Sequence, residues 1–162
     1  MTSDLHISAV SRENRTRVEP IIDQSFNGLY RWHARRILRS VQWVTEAVHV
    51  DARVGVAMFT LLGKRSAYVY YLAVVPSKRA KGIGVMLLDD ALNLLLESGA
   101  LEVFACVRTD NIPSLRLIQS RDFVRTGFRE LVASKGFAPA AKLWMQMVVA
   151  PGEKVFRKVV RP

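Results

Sequence analysis

The stretch Leu72-Ala73-Val74-Val75-Pro76-Ser77-Lys78-Arg79-Ala80-Lys81-Gly82-Ile83-Gly84-Val85 joins an apolar run to a leucine-rich one through a short basic loop. Pro76 has no N–H to give a sheet ladder, so a strand that reaches it ends there. The first turn of a following helix leaves backbone N–H groups without an intrahelical partner, and the helix dipole makes that end positive. Gly82 and Gly84 lack Cβ atoms, so an anion can approach the backbone closely. Lys78, Arg79 and Lys81 add positive charge within the same few residues. The loop therefore reads as a cradle for a pyrophosphate. It is not the dinucleotide fingerprint, because Leu87 stands at the third glycine position, and no Gly-Lys-Ser/Thr makes it a P-loop. The plainer alternative is a tight strand-to-helix turn.

Working outward, Val85 to Ser98 reads as a helix closed by Gly99. Leu88, Ala91, Leu92, Leu95 and Leu96 face a core, and Asp89, Asn93 and Glu97 face out. Upstream, Ala67 to Val75 is a strand, and Gln42 to Val50 with Arg53 to Leu62 is a hairpin turning at Asp51-Ala52. Leu29 to Val41 is a helix, since Tyr30, Ala34, Ile37, Leu38 and Val41 form one stripe. Its other side carries Arg31, Arg35, Arg36 and Arg39, either a solvated face or a surface for a polyanion. Arg12 to Phe26 is helical, with Pro20 kinking it or starting a new turn. Leu5 to Val10 is a first strand. Downstream come a buried strand Leu101 to Val107, a helix Asn111 to Ser120, and strands Phe123 to Val132 and Lys142 to Val149. A basic tail, Gly152 to Pro162, follows. Hairpins feeding a central strand–helix–strand crossover make the class mixed α+β.

Composition fits one globular domain: of 162 residues, 50% are hydrophobic and 23% charged. Cys106 is the single cysteine, which excludes an intrachain disulfide and argues against a cysteine metal site. No apolar run approaches a membrane span, and Met1 to Ala9 lacks the basic and apolar regions of a signal peptide. A soluble, cytoplasmic protein is expected. The formal net charge of +10 points to anionic partners.

The loop also resembles the acyl-CoA signature of the GNAT family of N-acetyltransferases, here Arg79-x-x-Gly82-x-Gly84 after Val74-Val75-Pro76. Ala80 replaces that family's usual glycine. A second element, Val107 to Ile118, resembles the family's Asn-helix, with Asn111 and Ser114 in place. The likeness runs from Leu5 to about Val149. It implies a GNAT domain over residues 1–150 and a basic tail over 151–162. The implied sheet has about six to seven mostly antiparallel strands flanked by about four helices. It further implies acetyl-CoA as cosubstrate, no metal, and direct attack of an amine on the thioester in a ternary complex. By the same resemblance, the backbone of Leu72 and Val74 pairs with the pantetheine arm. Arg79, Ala80, Lys81, Gly82, Ile83, Gly84 and Val85 hold the pyrophosphate, while Asn111 and Ser114 face the coenzyme from the next helix.

The familiar acid/base positions are altered. Ile118 stands where the family places a tyrosine, Cys106 and Tyr68 where relatives use glutamates, and Asp122 where a glycine precedes Phe123. Tyr68, Tyr70 and Ser120 are the substitute candidates, and Tyr71, Glu46 and His49 also flank the expected cleft. A thiolate leaves readily enough that a donor helps without being mandatory, and water can take a proton from an exposed amine. The resemblance implies as acceptor an amine of a small molecule, peptide or protein, left unidentified by the sequence, and the positive charge is compatible with an acidic one. Two other functions compete: a catalytically silent CoA-binding interaction module, and a nucleic-acid-associated protein using Arg31, Arg35, Arg36, Arg39 and the tail residues Lys154, Arg157, Lys158 and Arg161. Family analogy also offers a homodimer paired through Lys142 to Val149.

Overall fold

A computed structural model describes residues 4–160. Its seven strands make a mixed sheet in the order β1-β2-β3-β4-β5-β7-β6, numbered along the chain and located below. The chain divides into two compact units, one comprising the residues up to Thr60 with Val69–Leu94, the other Leu61–Tyr68 with the residues from Leu95 onward.

In the first unit, β1 (Leu5–Ala9) pairs antiparallel with β2 (Trp43–His49), and β2 with β3 (Ala52–Leu61). A 3₁₀ segment (Arg12–Val18), α1 (Glu19–Ser25) and α2 (Gly28–Ser40) fill the chain between β1 and β2. Pro20 lies in the first turn of α1. There its missing N–H loses no intrahelical bond, so the proline starts a helix and does not kink one. The apolar stripe read on α2 buries Ala34 and Leu38 completely, while Tyr30 and Ile37 remain half-buried. β4 (Ser66–Val74) leads through a 3₁₀ turn (Pro76–Lys78) to α3 (Ile83–Glu97). Gly55 gives close approach on β3: a Cβ there would stand 2.8 Å from Leu87 Cδ1 and 3.2 Å from the Ala73 carbonyl oxygen. The helix thus sits directly on the strand.

In the second unit, β5 (Glu102–Arg108) is followed by α4 (Ile112–Gln119), β6 (Val124–Thr126), α5 (Phe128–Lys135), α6 (Phe137–Met147) and β7 (Glu153–Val159). β7 lies between β5 and β6 and is antiparallel to both. Glu102 is nearly fully buried and is paired with Lys135 of α5 and Arg157 of β7, and Ser66 donates to it at 2.6 Å. Burial alone pushes this carboxyl up. The hydrogen bonds from Lys135 and Ser66, with the charges of Lys135 and Arg157, outweigh burial and hold it below the usual range.

Three expectations are corrected here. Phe123 to Val132 is a strand only over Val124–Thr126; Gly127 then opens α5, its N–H donating to Glu130 Oε2 at 3.0 Å in a helix-start pattern. Lys142 to Val149 is largely helix, because Ala140, Leu143 and Met147 bury one side at spacings of three and four. The strand expected to pair across a dimer is therefore the end of α6. The stretch expected as a tail supplies β7, whose Val155 and Phe156 are buried and whose Arg157 and Lys158 are tied down by Glu102 and by the Arg121 carbonyl. Arg161 and Pro162 of that stretch, like Met1 to Ser3, lie outside the described residues. The expected mixed α+β sheet stands through a partly different set of segments, with six α-helices among the described residues.

Candidate active site

The basic loop is built entirely within the first unit. β4 ends at Val74, and Pro76–Lys78 makes one 3₁₀ turn in which Lys78 N–H donates to Val75 O at 2.9 Å. Arg79 returns to extended backbone, and its Nε donates to the Val74 carbonyl at 2.9 Å, strapping the loop onto the end of the strand. Ala80 and Gly82 both take left-handed backbone, at φ +59° and +80°. The first bond into the helix runs from Met86 N–H to Gly82 O at 3.1 Å. The amides of Ile83, Gly84 and Val85 precede it and have no partner inside α3. A Cβ built on Gly82 would meet no heavy atom within 4 Å, so the backbone there is open on one side. Arg79, Ala80, Lys81 and Gly82 are exposed, Lys78 is half-buried, and Ile83 is a core residue whose side chain anchors the turn. An open run of amides, a positive helix end and three cations meet the requirements of a diphosphate site.

β4 itself changes character along its length. Ala67, Tyr68 and Val69 are buried, Tyr70, Tyr71 and Leu72 are half-buried, and Ala73, Val74 and Val75 are buried again. The strand is thus accessible over three residues, just before the segment whose backbone leads into the loop. Burial pushes the Tyr70 hydroxyl above its ordinary value. Tyr71 Oη meets His33 Nδ1 of α2 at 2.6 Å, and Phe26 packs against the Tyr71 ring edge-on with centroids 5.1 Å apart. His33 was not legible as a functional residue, since its partner lies 38 positions away. Its one sequence signal is its place beside the apolar stripe of α2, next to Ala34.

In the second unit, Asn111 caps α4: its Oδ1 accepts from Ser114 N–H at 3.2 Å. Asn111 is exposed and Ser114 half-buried. Asn111 therefore has a structural task at this helix start, through the backbone of Ser114. Ile118, in the position of the family's tyrosine, is buried as a core residue. Ser120 is exposed, and its Oγ donates to the Leu117 carbonyl at 2.6 Å, so its hydroxyl closes the end of α4. Tyr68 is buried and hydrogen-bonded to Cys106. Burial pushes the Cys106 thiol up to about 11; the Tyr68 hydrogen bond works against this and the nearby Glu153 charge adds to it. A thiol so placed is a protonated packing group at neutral pH.

Two further sequence candidates serve the framework. Glu46 is buried on β2 between Arg17 and Arg53, with Arg53 Nε at 3.0 Å. His49 is half-buried at the end of β2, opposite Leu5 of β1. No group of three or more His, Cys, Asp or Glu residues placed to hold a metal ion occurs among the described residues. No helix among them is long and apolar enough to cross a membrane.

With this geometry in place, comparison with known proteins gives a consistent result. The profile of the Acetyltransferase (GNAT) family matches residues 9–123. An uncharacterized protein of Mycobacterium leprae is 32% identical over 120 residues, which cover 70% of this chain and 33% of that protein. The chain thus spans about a third of that relative's length. Among solved structures, Ard1 from Thermoplasma volcanium superposes with a TM-score of 0.73 at 19% identity, covering 98% of this chain and 99% of that one. A GNAT family acetyltransferase from Elizabethkingia anophelis, with acetyl-CoA bound, gives 0.72 at 12% identity over 97% and 99%. Naa50 from Arabidopsis thaliana, in complex with the bisubstrate analogue CoA-Ac-MVNAL, gives 0.71 at 17% identity over 97% and 99%. At these identities the structural likeness establishes the fold.

Proposed function

Because the chain belongs to the GNAT acetyltransferase family, we propose that it transfers an acetyl group from acetyl-CoA to a primary amine by direct attack. The observation that carries this is the loop Arg79–Val85: left-handed backbone at Ala80 and Gly82, and amides of Ile83, Gly84 and Val85 with no partner inside α3. Those amides, with Lys78, Arg79 and Lys81 around them, are the diphosphate-holding groups. Family likeness assigns Leu72 and Val74 of β4 to the pantetheine arm, Leu72 being half-buried and Val74 buried. Asn111 and Ser114 are assigned to the coenzyme by family likeness, with Asn111 already occupied in capping α4.

In this reading the loop fixes the thioester, and an unprotonated amine attacks its carbonyl. The C–S bond then breaks and sulfur departs as a thiolate, which needs little help to leave at neutral pH. The peptide end of the Naa50 bisubstrate analogue makes a peptide N-terminus the first acceptor class to examine. The test is a calorimetric titration of acetyl-CoA into wild type and into Gly82→Glu. Binding by wild type, abolished in the variant, is expected. Failure of wild type to bind at high micromolar protein would overturn the proposal and return the loop to a strand-to-helix turn.

A further inference from the structure

The contact between His33 and Tyr71 joins α2 to β4. At 2.6 Å from Nδ1 to Oη it is at the short end of hydrogen-bond distances. Both side chains are half-buried. The rings meet edge-on at 5.7 Å, and Phe26, at the end of α1, braces Tyr71 from another side. Tyr71 belongs to the three-residue accessible stretch of β4 and is the neighbour of Leu72.

Several charged side chains of α1 and α2 are engaged with one another nearby. Arg35 of α2 holds Asp23 of α1 through two hydrogen bonds and lies 3.9 Å from Glu19, Arg31 adds its charge to Asp23, and Arg36 lies over Trp32 at 5.7 Å. The carboxylates of α1 are thus drawn to arginine.

Resting on the transferase reading above, we propose that Tyr71 and His33 form the proton-accepting pair for the attacking amine. Tyr71 is the catalytic residue that touches the amine, and His33 is the positioning residue that receives the proton through it. With the imidazole proton on Nε2, Tyr71 O–H donates to Nδ1 and its oxygen lone pairs accept from the substrate. As the amine nitrogen bonds to the thioester carbon, its N–H proton passes to Tyr71 Oη. The original hydroxyl proton passes to His33 Nδ1, giving an imidazolium. The C–S bond breaks with its electron pair on sulfur, and the thiolate takes a proton from water. The imidazolium then returns its proton to solvent. The products are an amide and a thiol, with no change in oxidation state. This pair supplies the function that Ile118 and Cys106 cannot.

The experiment uses the full chain, acetyl-CoA, and three acceptor probes: free lysine, spermidine, and an equimolar pool of pentapeptides with unblocked N-termini. Thiol release and acceptor mass report turnover; calorimetry reports acetyl-CoA binding. Tyr71→Phe is expected to lower kcat about 10²-fold or more, the range of general acid–base catalysis, with acetyl-CoA affinity within twofold of wild type. His33→Ala is expected to lower kcat with acetyl-CoA affinity within twofold of wild type, and to regain turnover when imidazole is added. Imidazole does nothing for Tyr71→Phe. A merely structural role would give no imidazole response. If both variants bind acetyl-CoA and turn over within twofold of wild type, the pair is overturned while the transferase reading stands. If wild type binds acetyl-CoA but acetylates none of the probes above the uncatalysed rate, the pair is likewise overturned. If wild type does not bind acetyl-CoA at all, the underlying reading falls and the pair with it.

Discussion

Replacing Gly82 by asparagine and, separately, by aspartate tests the diphosphate cradle with backbone strain held constant. Gly82 sits at φ +80°, and a Cβ there would touch nothing within 4 Å, so neither side chain clashes. Asn and Asp are the residues besides glycine that most readily take left-handed backbone, and each variant carries a similar strain of about 1 kcal/mol. The two are nearly isosteric and differ by one negative charge. If a phosphate lies over the amides of Ile83–Val85, the introduced carboxylate stands roughly 5 Å from it, and at an effective dielectric near 20 the repulsion is about 3 kcal/mol. Physiological salt screens away roughly half of this. The remaining ~1.5–3 kcal/mol corresponds to roughly 10- to 150-fold in affinity. Calorimetric titration of acetyl-CoA should find Gly82→Asn within about fivefold of wild type and Gly82→Asp weaker by that margin, the gap narrowing as salt rises. Equal affinities for the two variants, with both folded, would refute a phosphate at this position.

Three other outcomes follow from the geometry. Ala80 holds φ +59° where an L-residue is strained, so Ala80→Gly should relieve about 1 kcal/mol, less the extra freedom glycine gives the unfolded chain. The net is a melting temperature higher by roughly 1–3 °C, read by calorimetry. Glu102 has its carboxyl held below the ordinary range, so the stability it contributes is present above the unfolded value and lost as pH falls through the folded one. Glu102→Gln should therefore be less stable than wild type by about 3 kcal/mol at pH 7, with the difference shrinking below about pH 4 in denaturant titrations. With its thiol at about 11, Cys106 should react with iodoacetamide at pH 8 roughly 200-fold more slowly in the native protein than in urea, where an ordinary thiol near 8.5 is largely available.

What could be read from the sequence divides along a physical line. The loop was legible because its requirement is local: Pro76 ends a strand, Gly82 supplies a left-handed residue, and the next turn exposes its amides, all within a few positions. Ala80 shows the same backbone demand met by a less suitable residue. The α5–α6 pair was not legible as helix, because Leu143 to Val149 is a short apolar run, which strand and buried helix share. The finer signals were present: Glu130 three residues after Gly127, and Pro139 in the first turn before the spaced Ala140, Leu143 and Met147. β7 was hidden for a different reason. Its charges suggested a solvated tail, but Arg157 is neutralised by Glu102, a buried partner 55 positions away. Acid–base candidates were the least legible, since Tyr68 finds Cys106 and Tyr71 finds His33 only through tertiary contact.

The same distinction bears on the basic charge. In the sequence, Arg31, Arg35, Arg36 and Arg39 form one face, and Lys154, Arg157 and Lys158 form a second cluster. In the structure, Arg35 is spent on Asp23 and Glu19, and Arg157 on Glu102; Lys158 reaches the Arg121 carbonyl and the Asp122 carboxylate. An ion paired at short range contributes little to a distant field, so each cluster is weaker as a polyanion surface than its residue count suggests. The loop differs in kind. Arg79 uses only Nε on the Val74 carbonyl, an interaction that positions the guanidinium without neutralising it, and Lys81 is exposed. There the cations sit around a glycine-opened helix start, where short-range donors add to charge in the way a diphosphate site requires.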